Sequence, residues 1–96
     1  MIEIDRDNLN ILEPTAFKAF LTGPYVVNVA IIPFEYDLVV TVEVASKIYL
    51  LGRSRGGLRL FKTIDGAAAT LKQYGIENVV IYLNDWVPKT AQKINK

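Results

Sequence analysis

Apolar and polar positions follow a strand-like pattern through the middle of the chain. Residues 25–32 are rich in β-branched side chains and are bounded by prolines, which predicts a strand. Residues 38–45 alternate between two faces, which predicts a half-buried strand, and residues 34–37 form a turn that would let the two strands pair as an antiparallel hairpin. Residues 47–51 continue as strand after a bend near Ser46.

A helix is predicted before these strands. Pro14 suits its first turn, and Gly23, which a second proline follows, ends it. Four apolar residues at helical spacing form one face of this helix: Ala16, Phe17, Phe20 and Leu21.

A second helix, after the strands, has the clearest boundary signals in the chain. Thr63 is a good N-cap, and Asp65 in the first turn favours the positive end of the helix dipole. Gly75 fits the left-handed position after the last turn. This assignment places Leu71 and Ile76 for the hydrophobic contact of a Schellman ending.

Three further strands complete the predicted secondary structure. Gly56 and Gly57 supply the positive φ angles of a tight turn, after which residues 58–62 return as a strand. Residues 79–83 form the final strand, and residues 1–4 form a short first one.

These elements predict a single α+β domain over residues 1–96. Their order is (β)αββββαβ, an antiparallel or mixed sheet of about five strands with two helices against it. Residues 87–96 are rich in lysine, and we expect them to form a mobile basic tail.

A homodimer is predicted from the amount of apolar strand surface. Residues 25–32 and 47–51 have few polar positions on either face, and a small monomer has little material with which to cover both. A second copy that shares a sheet edge or face would solve this problem. The alternative is that the first helix covers one face and the tail covers the other.

Composition excludes several classes of protein. The chain has 96 residues, no cysteine and no histidine, so it lacks thiolate ligands, the commonest zinc ligand and the commonest general base. Its amino terminus is acidic and no apolar run is long enough to span a bilayer, so we expect no signal peptide, no membrane segment and a cytoplasmic location. Serine and threonine have no histidine to activate them, and we predict that the protein is not an enzyme.

Charge is uneven along the chain, although the net charge is only +1. Residues 1–46 carry two basic and seven acidic residues, whereas residues 47–96 carry nine basic and three acidic residues. Such asymmetry indicates an anionic partner, or self-association through opposite faces. The alternative is that the charges mix in space once the chain folds.

Four cations within ten residues form the candidate binding site. They surround Gly56 and Gly57 with no acidic residue among them, as in a hairpin that offers cations and backbone N–H groups to phosphates. The alternative is a solvated hairpin tip whose cations meet the acidic residues of the amino-terminal half. The cations are Arg53, Arg55, Arg59 and Lys62.

Phe61 is the aromatic candidate in this segment. In a strand it shares the face of Arg59, which would let it stack on an unpaired base. Residues 52–57 are not a P-loop, because they lack the Gly-Lys-Ser/Thr ending and the helix that should follow at once.

No cofactor or metal is predicted. Glu3, Asp5 and Asp7 would lie on one face of a strand and could hold a hard cation, but without a calcium-loop pattern they are better interpreted as solvated surface.

Residues 48–76 resemble the β-hairpin–helix unit of accessory proteins from plasmids and phages and, more loosely, the arm-type DNA-binding module of tyrosine recombinases. The resemblance implies a basic sheet that docks on DNA while the helix braces it from behind, with Arg53, Arg55, Arg59 and Lys62 facing the DNA. Its motif runs through Phe61-Lys62-Thr63, Asp65-Gly66-Ala67-Ala68, Leu71 and Gly75-Ile76.

The expected function is therefore a small nucleic-acid-binding accessory or regulatory protein, dimeric and carried by a mobile element. The alternative is a protein–protein interaction module, such as an inhibitor or assembly factor, that uses exposed strand edges and apolar faces.

Overall fold

One mixed sheet of five strands organises the chain in the computed structural model, which describes residues 4, 7–24, 27–84 and 86. The strand order is β1-β4-β3-β2-β5. The strands are β1 (Ile11–Leu12), β2 (Val27–Phe34), β3 (Asp37–Val44), β4 (Lys47–Leu51) and β5 (Val80–Ile81), and the helices are α1 (Pro14–Thr22) and α2 (Ile64–Gln73). The predicted α+β class, with two helices against a mixed sheet, is confirmed.

Two tight hairpins form the middle of the sheet. β2 and β3 pair antiparallel from Val27–Val44 to Phe34–Asp37, so only Glu35 and Tyr36 make the turn. β3 and β4 pair antiparallel around Ala45 and Ser46, which both have positive φ, the pattern of a type I′ turn. The sequence predicted only a bend near Ser46, whereas the chain reverses its direction completely there.

Both edges of the sheet are short parallel strands. β1 runs parallel to β4, and β5 runs parallel to β2. The pattern did not predict β1, since two residues are too few to show alternation. The strand predicted over residues 1–4 lies almost wholly outside the described residues, as does the tail over 87–96.

The helix boundaries agree closely with the sequence signals. α1 begins at Pro14 and is followed by Gly23. The Thr63 side chain accepts a hydrogen bond of 3.0 Å from the Gly66 N–H at the start of α2. At the other end the Ile76 N–H donates to the Leu71 carbonyl and Gly75 has a φ of 87°, as a Schellman ending requires.

The larger part of the core lies between the sheet and the two helices. Phe17 of α1 and Leu71 of α2 are buried against Val40 and Val42 of β3. Burial of such side chains is the main favourable term in folding, at about 25 cal/mol per Å² of apolar surface. The predicted apolar faces of both helices therefore carry the packing of the fold.

The opposite face of the sheet is also buried within a single chain. Val39 is 0 % exposed and Thr41 is 1 % exposed on this face. Leu9, Leu58 and Tyr82 are among the partly buried side chains that pack over it. Covering this face therefore does not require a second copy, and homodimerisation stays a prediction.

Residues 58–62 do not form the predicted strand. Leu58 bridges antiparallel to Gly52 at the end of β4, whereas Phe61 bridges antiparallel to Leu38 at the start of β3. Because β3 and β4 are themselves antiparallel, no straight strand can run antiparallel to both. The segment therefore bends between its two bridges, and the bend leaves Leu60 46 % exposed.

No helix in the part of the chain that the structure describes is long and apolar enough to cross a bilayer.

We expect Thr41→Val to raise the free energy of unfolding by about 1 kcal/mol, because a buried polar atom without a partner costs about 1–3 kcal/mol. The Thr41 hydroxyl is buried and has no hydrogen-bond partner among the described residues. Urea unfolding of the wild type and the variant measures the difference.

Thr70→Val is the matched control. The Thr70 hydroxyl is also buried, but it donates to the Gly66 carbonyl at 3.3 Å, so its removal should lower stability. Equal effects of the two substitutions would contradict this account of Thr41.

Candidate nucleic-acid interface

The basic loop, which we define as residues 53–57, is a closed turn at the end of β4. The Arg53 N–H donates to the Gly57 carbonyl at 2.9 Å, and the Gly56 N–H donates to the Arg53 carbonyl at 3.0 Å. Gly56 and Gly57 have φ of 93° and 85°, which confirms the tight turn predicted from the paired glycines. The loop is therefore a defined turn in which two glycines occupy the left-handed region.

Arg53, the first residue of the basic loop, stabilises the loop through its side chain. Its Nε donates to the Gly56 carbonyl at 3.2 Å. Its Nη2 lies so close to Gly57 that a Cβ there would stand 3.1 Å away. A guanidinium group has five N–H donors, so this single bond leaves the outer edge of the group able to bind an anion.

Arg55 lies near the tip of the basic loop and is exposed. No ion pair or hydrogen bond of its side chain occurs within the described chain. It is therefore the cation whose charge is most available to a ligand.

Arg59 lies beside Phe61, with its guanidinium carbon 4.9 Å from the centre of the phenyl ring. Phe61 itself is 7 % exposed and belongs to the core on the helix side of the sheet. A buried ring cannot stack on a base, so this placement removes Phe61 from the candidate contacts. The ring instead holds the Arg59 guanidinium by a cation–π contact, which leaves the charge in place.

Lys62 differs from the three arginines because it has an acidic partner. Its ammonium group lies 2.9 Å from the Asp37 carboxylate. Asp37 precedes Leu38 in β3 and so lies on the face opposite the helices. The Arg59 guanidinium instead lies over the ring of Phe61, which belongs to the core on the helix side. The four predicted cations thus differ in their surroundings: Lys62 pairs with Asp37, whereas Arg53, Arg55 and Arg59 form no ion pair among the described residues.

In the part of the chain that the structure describes, the charge around the basic loop is positive and has no acidic partner. Residues 52–62 contain no acidic side chain. Within the described residues, Arg53, Arg55 and Arg59 form no ion pair. Among the acidic residues of the amino-terminal half that the structure describes, Asp37 alone pairs with one of these cations, Lys62.

The structure describes little of the acidic amino terminus. Glu3 and Asp5 lie outside the described residues, and only Asp7 of the three is described. Across residues 7–24 and 27–84, no three acidic, cysteine or histidine side chains come together as metal ligands would.

Tyr36 is one of several aromatic residues that the sequence offers as stacking platforms, although Phe61 was the preferred one. Tyr36 is 83 % exposed in the turn between β2 and β3. The available signal was its position in a two-residue turn between two strongly apolar strands, where a tyrosine has no core to enter.

The comparisons with known proteins give one match. The profile of the ParC-like family matches residues 12–90, which include both helices, the whole sheet apart from Ile11, and the basic loop. The chain belongs to the ParC-like family. No curated protein and no solved structure matches it significantly.

Gly52 directly precedes the basic loop, and we expect this position to tolerate no side chain. A Cβ on Gly52 would lie 2.5 Å from the Ile11 side chain and 2.9 Å from the Gly57 carbonyl oxygen. We expect Gly52→Ala to lower the free energy of unfolding by about 2 kcal/mol, because the added methyl group overpacks a backbone contact.

Gly56→Ala is the comparison for Gly52→Ala, since nothing lies within 4 Å of its added Cβ and only its positive φ is strained. That strain should cost about 1 kcal/mol. Chemical denaturation measures both variants, and a Gly52→Ala protein as stable as the wild type would contradict the close packing of β1 on the loop.

Proposed function

We propose that this ParC-like protein is a small, non-catalytic nucleic-acid-binding protein that contacts phosphates through the arginines of its basic loop and Arg59. The supporting observation is that Arg53, Arg55 and Arg59 have no ion pair among the described residues. A planar guanidinium group matches phosphate oxygens, and unneutralised arginines on an otherwise near-neutral protein favour a polyanionic ligand.

Each arginine has a distinct part in the proposed contact. Arg55 reaches the ligand first, because it is exposed near the loop tip. Arg53 fixes the shape of the loop through the Gly56 carbonyl, and Arg59 is oriented by the ring of Phe61. Gly56 and Gly57 allow the turn, and Lys62 contributes less because Asp37 compensates its charge.

The proposed contact positions the protein on nucleic acid and does not read the base sequence. Arginine contacts to phosphates fix the register and orientation of a protein on nucleic acid, but carry no base information. An accessory or regulatory role in a mobile element is consistent with such a contact. The resemblance of residues 48–76 to β-hairpin–helix units of plasmid and phage proteins motivates this context, and the helix α2 would brace the basic segment from behind.

A second candidate function is a protein–protein interaction module. The observation that favours it is the edge strand β5, where Val80 is 55 % exposed, with Leu83 54 % exposed just beyond it. An exposed apolar edge can accept a strand from a partner. A stable dimer in a sizing measurement, with no nucleic-acid binding at low salt, would favour this candidate over the first.

We expect Arg55→Glu to weaken binding to a mixed-sequence oligonucleotide of about 20 nucleotides by tenfold or more at low salt. Loss of one phosphate contact should also reduce the slope of log K against log salt by about 1. Fluorescence anisotropy from about 50 to about 200 mM salt measures both quantities.

Lys47→Glu is the matched control, because it makes the same change of charge at the far end of β4. Lys47 is five residue steps along the strand from Gly52, which is roughly 16 Å. Equal losses in the two variants, or no loss in Arg55→Glu, would contradict a site at the basic loop.

A further inference from the structure

Tyr36 is more exposed than any other large apolar side chain of the described residues, with 83 % of its surface accessible. The next in order are Val80 at 55 % and Leu83 at 54 %. No hydrogen bond, ring contact or cation–π contact involves Tyr36 in the part of the chain that the structure describes. The ring is therefore fully presented to the surroundings.

The fold does not need an aromatic residue at this position. Tyr36 is the second residue of a two-residue hairpin turn. The positive φ of this turn, 58°, lies at Glu35, so the turn geometry makes no demand for a particular side chain at Tyr36. The exposed ring is therefore free to contact a ligand.

Tyr36 lies at the same end of the sheet as the basic segment. Leu38 and Phe61 exchange two backbone hydrogen bonds of 2.8 Å. Tyr36 is two residues from Leu38, so its Cα is at most about 7 Å away. The guanidinium of Arg59 lies 4.9 Å from the Phe61 ring centre, and one short oligonucleotide can therefore reach both Arg59 and Tyr36.

We propose that Tyr36 is a stacking platform for an unpaired base, and that the preferred ligand is single-stranded nucleic acid. This inference rests on the proposed function, and it replaces Phe61 with Tyr36 as the aromatic contact. Arginines bind the phosphates of single strands and duplexes alike, whereas a flat ring can stack only on a base that has left its own stack. Preference for single strands thus follows from the tyrosine and not from the charge.

The test compares a single strand of about 20 thymidines with its duplex, in wild type, Tyr36→Ala and Tyr36→Phe. Wild type should bind the single strand more tightly. Tyr36→Ala should weaken single-strand binding about five- to hundredfold and change duplex binding by less than about twofold. Tyr36→Phe should bind like wild type, because it keeps the ring.

Two further measurements make the result specific to stacking. The salt dependence of binding should be the same in Tyr36→Ala and wild type, because no charge is removed. Val80→Ala, which removes a side chain that is 55 % exposed on the edge strand, should leave single-strand binding unchanged. Thermal unfolding should show that Tyr36→Ala is as stable as wild type, since the side chain is 83 % exposed.

The outcomes separate this inference from the function on which it rests. If Arg55→Glu weakens binding but Tyr36→Ala binds the single strand as wild type does, the stacking role is wrong and the phosphate site stands. Equal losses on single strand and duplex would also overturn the stacking role. If wild type binds neither probe at low salt, both proposals fail. A change in oligomeric state of Tyr36→Ala without a change in single-strand binding would assign the ring to contacts between proteins instead.

Discussion

Burial of β3 on both of its faces is the constraint on which the structure depends. Its even-numbered residues pack under the helices, whereas Val39 and Thr41 face the second cluster on the other side. A strand buried on both faces must have neighbours on both edges, because its N–H and C=O groups have no access to water. β2 and β4 fill these positions through hairpins with two-residue turns.

The position of the basic loop is set by the point at which β3 stops pairing with β4. Their pairing ends at Thr41 and Leu50. Beyond that point the neighbour of β3 is the segment that follows the basic loop. That returning segment is held at Leu58 by Gly52 and at Phe61 by Leu38. Phe61 is thereby buried, which removes it as an aromatic contact, and Arg59 is held against its ring. The bridge to Leu38 also brings this segment beside the turn that carries Tyr36.

Local signals predicted the helices and turns well because they act within a few residues. Pro14, Thr63 and Gly75 each satisfy or end a helix through groups adjacent in sequence, and the structure has α1 and α2 at the expected places. The prediction of a strand over residues 58–62 was wrong, because alternation of apolar and polar residues shows only that two faces differ in polarity. It does not report that the segment must turn from one strand to another.

The sequence by itself determined the class of the fold, the ends of both helices, the glycine turn, and the concentration of cations around it. Tertiary structure alone decided which cation is paired with an acidic side chain and which aromatic ring is accessible. Lys62 is neutralised by Asp37 and Phe61 is buried through Leu38, and both partners lie more than twenty residues away in the chain. Electrostatic and packing energies depend on distance in space, which a pattern along the chain does not contain.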